Sequence, residues 1–500
     1  MPFDPIVLAI IVGGVFYGLF VGLIPASGPG KALLTLFIFA GTPFFQDNSL
    51  AFVAFSMAVV MSCVTGDSFA SVLMGIPGAQ SSAATMVDGY PLARKGKGAY
   101  ALSAAISTST LQGLLWGLPV FLFMDYYKAL VPYITTPRYL AVLMLSFAMV
   151  IFITNKHYFR TIFAIALGIW FGMIGDDPFG TTRFTFGFDY LEDGLSVVIV
   201  AAGIFAIPEI IEAVRLNYKV YRVGKENLWI QVWEGMRDSI KFWRWNMFGG
   251  AVGMFHGLLP GYGGGSADWL CYGIASKKTV GDGTPYGKGN IVGVIAPEGV
   301  NNAGKAGAIV PTILLGVPGG KWAMIIMGLW MWLGYDVGDR SILENKEFLS
   351  AVAIGYFVGV IATGILCLVA IRYLAMLLYI PARYYMIPLF VITIVSALSV
   401  NNPEWYKWQW VWGLEDLTLL IILSCVGYCA KRFKFSRPAL LLAFILSEKI
   451  EDKSSATYFL YFKTGRWENL LTDPTFMGIM ILIIAIAIYG IRNKSSINYA

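Results

Sequence analysis

Residues 6–24 are nineteen consecutive residues without a charge, close to the length that an α-helix needs to cross the hydrocarbon of a bilayer. Uncharged runs of this kind recur at 48–66, 98–124, 139–155, 161–175, 194–208, 306–320, 322–335, 348–371, 384–400, 417–430 and 474–491, with a shorter one at 438–447. Only 13% of the chain is charged and 57% is hydrophobic, whereas a soluble protein carries about 25% charged residues. Such a chain cannot cover a water-facing surface, so it reads as an all-α polytopic membrane protein. Its net charge of +6 bears on topology rather than on nucleic acid, which is not expected as a partner. No cationic segment precedes the first run, so 6–24 reads as a retained helix rather than a cleaved signal.

One glycine-proline pattern occurs twice. The first copy is Gly18-xxx-Gly22-xx-Pro25-xx-Gly28-x-Gly30, and the second is Gly253-xxx-Gly257-xx-Pro260-xx-Gly263-x-Gly265, at a constant offset of 253 − 18 = 235. A second pair of breaks, Gly75-Ile-Pro-Gly-Ala and Gly316-Val-Pro-Gly-Gly, is offset by 316 − 75 = 241. A late echo sets Phe205, Glu209 and Glu212 against Phe444, Glu448 and Glu451. Interrupted apolar segments at matching places in two halves point to a transporter's binding site.

The loop charges give the halves a direction. Segment 41–49 has no Lys or Arg, and its counterpart 277–288 has Lys277, Lys278 and Lys288. Arg94, Lys95 and Lys97 follow the second break, whereas 335–347 sets Arg340 and Lys346 against Asp336, Asp339, Glu344 and Glu347. By the positive-inside rule, 94–97 and 277–288 are cytoplasmic and 41–49 and 335–347 are outside. The halves are therefore expected as inverted-topology repeats of broken or re-entrant helices, with roughly a dozen membrane segments. The expected division is a first repeat at 1–212, a basic linker with an amphipathic interfacial helix at 213–245, a second repeat at 246–453, and an extra helix within 454–500. The linker carries Arg215, Lys219, Arg222 and Lys225. After them Trp229, Val232, Trp233, Met236, Ile240 and Trp243 recur at helical spacing, as in a helix lying at headgroup level.

Small-xxx-small pairs let helices approach closely, which accounts for Gly18/Gly22 and Gly253/Gly257. The glycine-rich turns that follow are expected to open half-helices whose N–H groups suit an anion. In the first half the candidate substrate contacts are Ser27, Gly28, Gly30 and Lys31, then Gly78, Ala79, Gln80 and Ser81. In the second half they are Gly261, Tyr262, Gly263, Gly264 and Ser266, then Asn301, Asn302 and Lys305, and finally Gly319, Gly320 and Lys321. The segment 297–302 is expected to be a further break. Asp67, Asp268 and Glu298, with Asn301 and Asn302, are the candidates for coupling a proton or a sodium ion, since ionisable residues at membrane depth are functional by default. Sodium is the one candidate cofactor, and no catalytic or other metal site is expected. The five cysteines lack CxxC spacing, and Cys425 and Cys429 read as packing residues one turn apart. His157 reads as solvated; for His256 packing or a hydrogen bond is favoured over a proton relay, and its presence in only the second copy of the motif, like that of Lys31 after only the first, marks a place where selectivity is expected. Neither a nucleotide loop nor an HExxH motif is present.

At these residues the chain resembles the large membrane subunit of the tripartite tricarboxylate transporters. The matching stretches are Gly22-Leu-Ile-Pro25 with Gly28-Pro29, the long run from Gly75-Ile-Pro-Gly-Ala-Gln-Ser-Ser to Lys95-Gly96, and Arg183-Phe-Thr-Phe-Gly. Further on they are Gly203-Ile-Phe-Ala-Ile-Pro-Glu209, Leu259-Pro-Gly-Tyr-Gly, Ala296-Pro-Glu-Gly-Val-Asn-Asn-Ala and Gly316-Val-Pro-Gly-Gly. The resemblance implies import of a di- or tricarboxylate or similar organic anion across the bacterial inner membrane, driven by an ion gradient. It also implies a small membrane subunit and a periplasmic solute-binding protein as partners. The chain departs from the family pattern at Ala26, Lys31, Asp67, Lys305 and Lys321. The rival readings are a membrane-embedded enzyme acting on a lipid or amphipathic substrate, which would need one asymmetric catalytic cluster, and a passive anion channel.

Overall fold

The computed structural model describes residues 5–492 except 26, 41, 125, 127–128, 130–132, 154–157, 178–180, 215–219, 225–226, 260–266, 279–280, 282, 381–382 and 399–413. Among the described residues the only sheet is a two-residue antiparallel pair, Gly175–Asp176 against Thr182–Arg183. Everything that positions the interior is helical. The amphipathic signal is weak in the longest helices because they are apolar all round, as buried or membrane-facing helices are.

Helix α1 (Pro5–Leu23) ends at Ile24-Pro25, and α2 (Gly28–Leu34) follows with Pro29 in its first turn, where a missing N–H costs nothing. Helix α3 (Ser49–Met74) is 26 residues long, about 39 Å at the usual rise. Its apolar window is 83% buried within the protein, so this membrane-length helix is core rather than lipid-facing. It stops at Gly75, whose φ of +67° closes the helix in the left-handed region. A 3₁₀ turn at Gln80–Ser82 leads to α4 (Met86–Arg94) and α5 (Gly98–Leu122). The later part of the chain supplies α6 (Leu228–Lys241), α7 (Trp243–Leu258), α8 (Ala267–Ala275), α9 (Val292–Leu315), α10 (Lys321–Trp332) and α11 (Lys346–Val369). Among the described residues α1, α3, α5 and α11 are long and apolar enough to cross a membrane. This is an all-α, multi-pass membrane protein.

Two helix pairs carry the same contact. On α1, Gly18 and Gly22 lie so close to the backbone of Val59 and Cys63 on α3 that a Cβ would collide there. On α7, Gly253 and Gly257 meet Val300 and Gly304 on α9 in the same way. The partner residues are offset by 300 − 59 = 241 and 304 − 63 = 241. The breaks after α3 and α9 also match. Gly78 N donates to Ser71 Oγ at 3.2 Å, and Gly319 N donates to Thr312 Oγ1 at 3.4 Å. Gly316 closes α9 at φ +56°, as Gly75 closes α3.

The expected break at 297–302 is absent: α9 runs unbroken from Val292 to Leu315 through Pro297 and Pro311. Pro297 removes one intrahelical bond, near the helix start. The glycines of α7 pack along this stretch, with Gly249 against the Ala296 carbonyl and Gly253 against that of Val300, so the helix is supported where the proline interrupts its bonding. Helix α6 is present but has two faces. Val232, Gly235, Asp238 and Ser239 are buried. Gly235 fits against the Tyr100 carbonyl on α5, and Tyr100 Oη donates to Asp238 Oδ2 at 2.7 Å. Trp229, Trp233 and Ile240 are exposed, as is Trp243 at the start of α7. Cys425 and Cys429, expected in packing, are both exposed.

Loop contacts bring together the segments that share a charge pattern. Lys95 Nζ donates to the Lys288 carbonyl at 2.7 Å. Ser49 Oγ lies 3.0 Å from Tyr335 Oη. Outside the central helices, Tyr158–Gly172 packs on Arg437–Thr457 through Gly168 and Gly172. Glu451, from the late echo, forms a two-pronged ion pair with Arg183 at 2.7 and 2.8 Å. The side chains of Glu209 and Glu212, together with Arg215, Lys219, Lys225 and His157, lie outside the described residues.

Candidate functional site

The polar interior is built where α3 and α9 face each other. On α9, residues 298, 301, 302 and 305 are spaced three and four apart, so Glu298, Asn301, Asn302 and Lys305 share one face. The facing turn of α3 presents Thr65 and Ser68. Ser68 Oγ donates to Glu298 Oε1 at 2.9 Å, and Asn301 Nδ2 donates to Glu298 Oε2 and to the Val64 carbonyl, both at 3.2 Å. Asn302 Nδ2 donates to Thr65 Oγ1 at 3.3 Å. Two further carboxylates come from α3 and α8. Asp67 on α3 accepts from Ser81 Oγ at 3.4 Å, and Asp268 at the start of α8 accepts from the Ala84 N–H at 3.1 Å. Asp67, Asp268, Glu298 and Asn302 are fully buried.

This network is left incomplete. Among the described residues, Asp67 Oδ1, Asp268 Oδ1, Asn301 Oδ1 and Asn302 Oδ1 are buried without a hydrogen-bond partner. Lys305 is 6% exposed and, among the described residues, forms neither a hydrogen bond nor an ion pair. Asp67, Asp268 and Glu298 act on it only at longer electrostatic range. A buried ammonium without a partner is costly, and a set of acceptor oxygens left open beside it invites a ligand. No group of three His, Cys, Asp or Glu among the described residues is placed to hold a metal ion. The open oxygens instead suit a weakly held hard cation or a proton.

Lys305 opens onto a small cavity lined also by His256, Gly257, Asn301, Gly319, Trp322 and, from the first half, Ser81. Gly253, Gly257, Gly304 and Gly319 line it as well, and at Gly253 and Gly257 the lack of a side chain lets α7 and α9 meet backbone to backbone beside it. Of the residues singled out in the sequence, Ser81, Asn301, Lys305 and Gly319 therefore meet at the cavity. Asp67, Asp268, Glu298 and Asn302 stand beside it.

The other candidates lie elsewhere. Lys31 is buried on α2, where its charge reaches Cys63, as do those of Lys305 and Asp67. Lys321 extends over the Phe205 ring at 5.4 Å, and Arg437 lies over the same ring at 5.1 Å. Ser27 is buried, Gly28 packs against Ala79, and Gly30 packs against Ile325. Gly78 and Ala79 bind Ser71 Oγ and Ser82 Oγ within their own turn, and Gly320 is extended at φ 174°. The Gln80 side chain and Gly261, Tyr262, Gly263, Gly264 and Ser266 lie outside the described residues. Sequence reasoning passed over Trp322 and discounted His256. The repeat held the missing signal, because Trp322 is the counterpart of Ser81 at 322 − 81 = 241.

A family model described as the tripartite tricarboxylate transporter TctA family matches residues 8–442. An uncharacterized 52.8 kDa protein of the TAR-I ttuC' 3' region of Agrobacterium vitis is 26% identical over 440 residues, covering 88% of this chain and 84% of its own. An uncharacterized protein of the TAR-II ttuC' 3' region of the same organism is 24% identical over 246 residues, covering 48% of this chain and 96% of its own. No solved structure matches the chain.

Proposed function

The chain belongs to the tripartite tricarboxylate transporter TctA family, and from that premise we propose that it is the subunit that carries an organic carboxylate through the bacterial inner membrane on a proton or sodium gradient. The family is one of transporter components, so the chain is a transporter subunit and not an enzyme. A small membrane subunit and a periplasmic solute-binding protein that delivers the substrate complete the proposed assembly.

The observation that carries this reading is Lys305, buried at a cavity with no hydrogen-bond or ion-pair partner among the described residues. A carboxylate entering there gains a charge-assisted bond that the empty protein lacks. Asp67, Asp268 and Glu298, with the open oxygens of Asn301 and Asn302, form the coupling site in this proposal. Ser81 Oγ links Asp67 to the cavity wall, which supports communication between the two sites.

The carrier works by alternating access between two inverted repeats, 1–212 and 246–453, joined by the linker 213–245 and followed by the extra helix within 454–500. The matched glycine contacts of α1/α3 and α7/α9 support the repeat. The contact of 95 with 288, and of 49 with 335, supports opposite orientations, because matched loops then lie at opposite faces. Ser81 and Trp322 face one cavity from matched positions, as expected of walls contributed by both repeats. The testing experiment is uptake of labelled carboxylates into proteoliposomes with the partner proteins present. Accumulation against a gradient supports the carrier, whereas equilibration alone would make the protein a channel.

A further inference from the structure

Trp229, Trp233, Arg237 and Lys241 stand four apart and form one row along α6. Both tryptophans are exposed, as are Ile230 and Ile240 beside the row. The opposite face is fixed to the protein: Gly235 meets the Tyr100 carbonyl, and Asn246 Nδ2 of α7 donates to the Ser239 carbonyl at 3.1 Å. The row is therefore presented outward on a docked helix. Just past its end Arg244 lies over the Trp243 ring at 5.7 Å, and both residues are exposed. The start of α6 adjoins a basic loop, since Gln231 Nε2 donates to the Gly96 carbonyl at 3.2 Å. Arg94, Lys95 and Lys97 of that loop are exposed, and Lys95 joins them to Lys288. Across 94–97, 228–244 and 283–290, seven cations stand against two acids, Glu234 and Asp238. Asp238 is buried and accepts from Tyr100 Oη, which leaves Glu234 as the exposed acid of these segments.

Indoles settle at the headgroup level of a bilayer, and Lys and Arg clustered on an amphipathic helix recognise anionic lipid. We propose that this surface binds anionic phospholipid headgroups, with Trp229 and Trp233 in the interface and Arg237, Lys241, Arg244 and the loop 94–97 on the phosphates. In the topology proposed above the lipid belongs to the cytoplasmic leaflet. The charge surplus selects it, because a purely apolar stripe would take zwitterionic lipid equally well. Helix α6 leads into α7, which packs on α9 through Gly249 and Gly253, so a lipid held here stabilises the core helices. The lipid site does not depend on what the cavity carries.

The test is thermal unfolding of the full-length chain in detergent micelles titrated with phosphatidylglycerol or phosphatidylcholine of the same acyl chains, with glycerol phosphate as the soluble reference. Phosphatidylglycerol is expected to raise the unfolding temperature saturably, phosphatidylcholine to do less, and added salt to shrink the difference. The combined variant Arg237→Gln, Lys241→Gln, Arg244→Gln should unfold close to the wild-type temperature without lipid and need about ten-fold or more phosphatidylglycerol for half-saturation. Trp229→Ala with Trp233→Ala should weaken the response to both lipids. Equal stabilisation of the wild type by the two lipids, or an undiminished response in the combined variant, would overturn the proposal. Glycerol phosphate matching phosphatidylglycerol would assign the cations to a soluble anion and overturn it as well. A wild type indifferent to lipid but holding a co-purified subunit that the combined variant loses would give the face to a protein instead. Should the combined variant not fold, the salt series on the wild type decides: a lipid preference unchanged by salt would rule out recognition of headgroup charge.

Discussion

Lys305 is the residue on which the account turns, and its neighbours give it distinct consequences. Lys305→Gln is expected to abolish carboxylate uptake while the protein still reaches the membrane, and Lys305→Arg to retain a fraction of it. Asp67→Asn is expected to separate coupling from transport: exchange of labelled for unlabelled substrate persists, and accumulation driven by the gradient is lost. A different kind of residue effect lies outside the membrane-spanning segments. Asp473 caps the helix Pro474–Arg492 through the N–H groups of Thr475 and Phe476 and accepts from Arg138 Nε at 2.7 Å. The Arg138 hydrogen bond is the main cause holding its carboxyl below the usual carboxylate range. Its stabilisation is present above the ordinary carboxylate pKa and is lost as pH falls through the lowered value. Asp473→Asn should cost about 1 kcal/mol in thermal unfolding at neutral pH, and the difference should vanish in acid. A lysine inside an uncharged run is legible in a sequence, so Lys31, Lys305 and Lys321 all stood out. Only packing says which points into the cavity: Lys321 is diverted onto Phe205, whereas Lys305 shares its helix face with Asn301 and Asn302. His256 and Trp322 carry no such flag, because an imidazole or an indole in an apolar run reads as packing.

At the scale of elements, the interior depends on helices that touch backbone to backbone. Valine at Gly22 or Gly257 would drive a branched side chain into the backbone of Cys63 or Gly304. Each should destabilise the purified protein by about 1–3 kcal/mol, read as a lower unfolding temperature, with alanine at the same positions milder. These contacts were readable as small-xxx-small pairs, and the partner helices were not, since spacing within one segment does not say what it packs on. The proline in α9 shows the opposite failure. Pro297 argued for a break, yet α9 is continuous because α7 buttresses the same stretch. Asp88, which drew no attention in the sequence, fastens α4 to the start of α9: Oδ1 accepts from the N–H groups of Gly289 and Asn290 at 2.7 and 2.8 Å, and Oδ2 accepts from Tyr272 Oη at 3.0 Å.

For the whole molecule, the charge bias of short loops foreshadowed which segments meet, since 94–97 and 277–288 are both basic and Lys95 touches Lys288. Cysteines replacing Lys97 and Lys288 should react with an impermeant maleimide from one side of the membrane, and cysteines replacing Asp47 and Asp336 from the other. The outer helices were legible one at a time, but their grouping was not, because lipid-facing apolar residues and helix-packing apolar residues look alike in a sequence. The central claim joins this architecture to Lys305: a gradient-driven carrier whose cavity holds a carboxylate on that ammonium. Its most direct test is uptake of a labelled carboxylate panel into proteoliposomes containing the complete assembly, with wild-type chain and Lys305→Gln compared under an imposed proton or sodium gradient. Accumulation above the external concentration by the wild type, collapsing with the gradient and absent in Lys305→Gln, is the predicted result. Equal accumulation by the two proteins would contradict it.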